Sequence, residues 1–155
     1  MQPYSCVKKQ KLKKMNDKIV KEHQFGHPIS KIWNAITLEK EISTWFILAD
    51  FKAEQGYKYT FKHEAEDQCT TINGEILKVN PTTELVYTWV VEGTDIVTTV
   101  SWKLEENESG TFLILEHSGI SNFPGESAVA MFNSFSGGWD RCITDLDKHL
   151  TAINV

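Results

Sequence analysis

The sequence of 155 residues holds only three cysteines, four prolines and no long apolar run. Cys6, Cys69 and Cys142 are odd in number and show no CxxC spacing, so neither a disulfide frame nor a zinc site is expected. Reduced thiols of that kind point to an intracellular protein, and the expected location is cytoplasmic. No stretch approaches the ~18–20 apolar residues that a membrane span requires. The opening "MQPYSCVKKQKLKK" lacks the apolar segment of a secretory signal. Internal repeats are missing too. So are HExxH, an EF-hand loop, a phosphate-binding loop, a dinucleotide fingerprint and a GxSxG elbow. Metal, nucleotide and flavin chemistry thus have no motif to stand on, and no metal or cofactor is expected.

Positive charge is scarce outside one segment. Residues 1–16 carry five lysines and no acid, which leaves 11 basic against 21 acidic residues in 17–155, a charge of −10. An acidic body argues against nucleic-acid binding by the folded part. Residues 1–16 read as a basic, disordered, solubilising leader. Residues 17–155 read as a single domain, long enough to bury about two-thirds of the surface its unfolded chain exposes.

What the chain does have is patterned aromatic and aliphatic content. "KIVKEHQF" (Lys18–Phe25) alternates as a first strand, and "GHP" breaks it where Pro28 suits a helix start. Ile29, Ile32, Trp33 and Ile36 fall on one face of a short helix, and a second short helix is expected around Leu38–Trp45. "GYKYTFKH" then alternates with Tyr57, Tyr59, Phe61 and His63 on one side. "CTTINGEILKV", "LVYTWVV", "IVTTVSWKLE" and "TFLILEHSG" follow, separated by turn sequences, and predict an antiparallel meander. Gly74 reads as a bulge or bend. From Phe132 to Ile153 the period changes, with Phe135, Trp139, Cys142, Ile143, Leu146 and Leu150 on one stripe of a long helix. Gly137 and Gly138 interrupt it, which suits a close approach of helix to sheet, a kink, or a regular helix that starts only near Trp139.

These segments and their order resemble a known family. "HPISKIWNAIT" with "ISTWF", "GEILKVNPTTELVYTW", "VTTVSWKLE", "GTFLILEHSG" and "GGWDRCITDLDKHL" are similar to the activator of heat-shock-protein-90 ATPase homologue-like domains of the START-like (SRPBCC) superfamily. The resemblance covers about residues 18–152, and the lysine-rich leader lies outside it. It implies an α+β helix-grip fold: a curved antiparallel sheet wrapped around a long C-terminal helix, with two short helices after the first strand. It also implies a hydrophobic pocket between sheet and helix that takes an apolar or aromatic small molecule. The walls expected from the sequence are Trp33, Trp45, Phe46, Tyr59, Phe61, Trp89, Trp102, His117, Phe132, Phe135 and Trp139. Each also suits plain core packing, Trp102 and Trp139 most of all. "WF" at Trp45–Phe46 suits a staple that fastens the small helices to the sheet.

Catalysis has thin support. His117 and His63 are the candidate general bases, because imidazole titrates near neutral pH. Glu116 points away from His117 on its strand, and Glu64, Glu66 and Asp67 after His63 read as an exposed loop. Ser118 has no elbow, and Cys142 faces the apolar stripe as an inert thiol. The leading expectation is a non-catalytic ligand-binding protein. The alternatives are a cyclase- or hydrolase-like enzyme using a pocket histidine, or a stress-response interaction domain in contact with a chaperone.

Overall fold

The computed structural model describes residues 17–64 and 69–153. The leader 1–16 and the loop positions Glu66 and Asp67 lie outside the described residues. Seven strands form one antiparallel sheet in the order β1-β7-β6-β5-β4-β3-β2. They are β1 (Lys18–Phe25), β2 (Leu48–Asp50), β3 (Lys58–Glu64), β4 (Cys69–Asn80), β5 (Glu84–Val91), β6 (Thr98–Asn107) and β7 (Gly110–Ser118). Strands β2 to β7 run as a meander, and β1 closes the far edge by pairing with β7 from Lys18↔Ser118 to Phe25↔Thr111. The chain must therefore cross from one edge of the curved sheet to the other between β1 and β2. Two short helices, α1 (Ile29–Thr37) and α2 (Glu39–Trp45), make that crossing.

Period-two alternation places the core on the concave face. Leu85, Tyr87 and Trp89 of β5, Thr98, Val100, Trp102 and Leu104 of β6, and Thr111, Leu113, Leu115 and His117 of β7 are all buried. Ile32, Ala35 and Ile36 of α1 and Ile42 of α2 cover one end of that face. The long helix α3 (Gly125–Ala152, 28 residues) lies along it and buries Trp139, Cys142, Ile143, Leu146 and Leu150. Its earlier turns pack less deeply, with Met131, Phe132 and Phe135 against a second cluster of Ile19, Ile120 and Phe123.

Four readings from the sequence need correction. Strand β2 has only three residues, too short to show alternation, yet it completes the sheet by pairing with β3. Strand β6 starts at Thr98, so Ile96 belongs to the preceding loop. The irregularity in β4 falls between Ile76 and Lys78, whereas Gly74 keeps regular register opposite Tyr59. Gly74 is there for close approach: a Cβ would lie 2.1 Å from the Thr88 carbonyl oxygen and 2.5 Å from the Tyr59 ring. That ring crosses the glycine and donates its hydroxyl to the Thr88 carbonyl at 2.5 Å. Finally, α3 runs unbroken through Gly137 and Gly138, and a Cβ on either would meet nothing within 4 Å. The pair faces open space, not the sheet.

Candidate functional site

That open space is a cleft of about 690 Å³ between the middle of α3 and the β3–β4–β5 side of the sheet. The helix supplies two rows to its wall. Phe135, Trp139 and Cys142 form the apolar row, and Ser134, Gly137, Gly138, Arg141 and Asp145 form a polar row beside it. Both rows follow from residues three and four apart sharing a helix face. Ile72 and Trp89 line the sheet side, His63 and Thr70 stand opposite each other on β3 and β4, and Phe46 and Ile47 close the end next to α2. Each glycine costs a helix interior about 1 kcal/mol relative to alanine, and here the bare backbone leaves the cavity its width.

The rings around the cleft touch one another. Trp89 lies 5.4 Å from Trp139 and 6.5 Å from Phe135, and Phe46 lies 6.2 Å from Trp139, centroid to centroid. Tryptophan N–H groups need acceptors when buried, and three of those in the fold have one. Trp45 donates to the Ala35 carbonyl at 2.8 Å, Trp102 to the Tyr87 hydroxyl at 2.9 Å, and Trp139 to Nδ1 of His117 at 2.9 Å. Trp89 is only 7% exposed, and its Nε1 has no partner among the described residues.

His117 is fully buried and both its ring nitrogens are engaged. An indole N–H can only donate, so Nδ1 is the acceptor and the proton sits on Nε2. Nε2 donates to Thr98 Oγ1 at 2.7 Å, and that hydroxyl passes its own proton to the Trp89 carbonyl at 3.1 Å. Burial lowers the His117 pKa to about 4, which keeps the ring neutral. A general base needs a free lone pair, and the one on Nδ1 is occupied. Burial, helped by the nearby Asp145 charge, also pushes the Cys142 thiol up, so it stays protonated.

Of the expected wall residues, Phe46, Trp89, Phe135 and Trp139 line the cleft, and His63 joins them with an exposed side chain. Trp33 is half-buried against the core, and Tyr59, Phe61 and Trp102 lie inside it. Phe132 packs on the second cluster, and His117 sits behind Phe135, its ring stacked at 4.5 Å. Trp45 fastens α2 to α1 through its indole bond and stacks on Phe46 at 5.1 Å. The "WF" pair therefore divides its work, one ring stapling and the other lining. Sequence reading missed Ile47, Thr70, Ile72, Ser134, Arg141 and Asp145. Only Arg141 carried a signal, as the sole arginine of the chain.

A family model described as "Activator of Hsp90 ATPase homolog 1-like protein" matches residues 26–151. No curated protein matches the chain. Among solved structures it is similar to protein MLL2253 from Mesorhizobium loti, with 27% identity, a TM-score of 0.76, and coverage of 87% of this chain and 97% of that one. Protein BH1534 from Bacillus halodurans is 27% identical over 86% of this chain and 96% of that one, with a TM-score of 0.69. In fold alone it is also similar to DynU16, described as a protein in the dynemicin biosynthetic locus, at 20% identity and a TM-score of 0.75 over 87% of this chain. The present chain spans 47% of that longer protein.

Proposed function

Because the chain belongs to the family of Activator of Hsp90 ATPase homolog 1-like proteins over residues 26–151, we propose that it is a hydrophobic-ligand-binding protein that holds an apolar or aromatic molecule between α3 and the sheet without transforming it. The carrying observation is the cleft of about 690 Å³, within the range of small-molecule sites. Its aromatic walls suit a flat apolar body. The most buried titratable group beside it, His117, is locked in a neutral tautomer, which supports binding over acid–base chemistry.

The test is a panel of apolar and polycyclic aromatic compounds read by thermal unfolding. A ligand present at ~100 times its dissociation constant adds about 2.7 kcal/mol, which for a chain of this size raises the midpoint by about 5–10 °C. A panel that leaves the midpoint unmoved throughout contradicts the proposal. A second reading, a cyclase- or hydrolase-like enzyme, draws support from one observation: His63 lines the cleft with an exposed ring. Turnover of a bound compound that disappears in His63→Gln would favour it.

A further inference from the structure

Arg141 is the only arginine of the sequence, it lines the cleft, and it forms no ion pair with any described residue. Its isolation is not for want of carboxylates on the same helix. Asp140 is taken by Lys21 at 2.9 Å, and Asp147 by His23 at 2.8 Å. Asp145 stands one turn further on and also lines the cleft, without closing a pair with Arg141. Helical side chains lean toward the helix N-terminus and cover the preceding turn. For Arg141 the preceding turn is Gly137–Gly138, where a Cβ would meet nothing within 4 Å. The guanidinium thus has a clear path into the space the glycines leave. The Trp89 ring belongs to the opposite wall.

On the binding reading above, we propose that the cleft selects an apolar, aromatic molecule bearing a single carboxylate, which Arg141 holds. Guanidinium is charged at every working pH, and its planar fork matches a carboxylate. Asp145 in the same wall limits the ligand to one negative charge, since a dianion would meet repulsion there. His63, across the cleft, adds a second positive charge only when protonated.

Anthracene-2-carboxylic acid and anthracene-2-carboxamide share size and ring system and differ in charge. Both are titrated by fluorescence at pH 8 into the full chain and into Arg141→Gln. Arg141 is exposed, and the variant's circular dichroism and thermal midpoint verify its fold. The acid is expected to bind at least about tenfold more tightly than the amide to the unsubstituted protein, the scale of one charge-assisted hydrogen bond. In Arg141→Gln the acid should lose that advantage, so that the two bind alike. Arg141→Lys should retain only part of the preference. Equal binding of acid and amide to the unsubstituted protein overturns the proposal while leaving a ligand cleft in place. So does a preference that survives in Arg141→Gln. Failure of both compounds to bind removes the binding reading and this proposal together.

Discussion

The indole N–H of Trp139 donates to Nδ1 of His117 at 2.9 Å, and this one bond assigns every proton in a buried relay. With Nδ1 accepting, Nε2–H must donate to Thr98, and Thr98 to the Trp89 carbonyl. Helix α3 is thereby hydrogen-bonded to β7, and through it to β6 and β5, directly behind the cleft wall.

The relay predicts a pH dependence of stability. In the folded chain the His117 pKa falls to about 4, against 6.5 for the free group. Between those values the unfolded chain binds more protons, so stability is complete above about pH 6.5 and falls as the pH drops toward about 4, by about 3 kcal/mol for this group. Urea unfolding at pH 7 and pH 4.5, with the His117→Gln curve subtracted, should isolate the loss. A difference between the two proteins that does not change with pH would contradict it.

Gly74→Ala tests the packing of Tyr59 across β4. Its new methyl would sit 2.1 Å from the Thr88 carbonyl oxygen, a backbone atom in the centre of the sheet. Overpacking of this kind typically costs about 1–3 kcal/mol, and more where backbone must move. Urea unfolding should show a loss of about 3 kcal/mol, at the upper end of that range. A variant as stable as the parent would mean that Tyr59 lies elsewhere.

Trp89→Phe removes a buried donor that has no partner. Relief of that orphan, worth about 1–3 kcal/mol, offsets the lost ring volume, so the expected stability change is within about 1 kcal/mol. Trp102→Phe makes the contrast. It relieves no orphan and instead takes from the buried Tyr87 hydroxyl its one hydrogen-bond partner among the described residues, and it should destabilise by about 2 kcal/mol.

Much of the fold is legible in the sequence because alternation and helical stripes act over whole segments. β1 spans Lys18–Phe25 as its pattern indicates, and the inner faces of β5, β6 and β7 match theirs. β2 is invisible there, since three residues carry no period and only its pairing with β3 orders it. The site is harder. Trp89 and Trp102 alternate onto the same face of neighbouring strands, and nothing local distinguishes them. One reaches the cleft and the other a Tyr87 hydroxyl, because the position of the helix glycines against the sheet is a tertiary fact. The glycine pair itself is conspicuous, but a bare helix patch suits close packing and empty space equally well until the sheet is in place.

The most direct test fills that space. A Cβ on Gly138 of α3 would meet nothing within 4 Å, so Gly138→Phe should project its ring into the cleft. The helix gains a few tenths of a kcal/mol from losing glycine, and the thermal midpoint should hold or rise. Titration with anthracene-2-carboxamide should then show affinity lowered at least about tenfold against the parent, the loss of roughly one well-packed contact. Unchanged affinity in a folded Gly138→Phe protein would contradict a ligand site between helix and sheet.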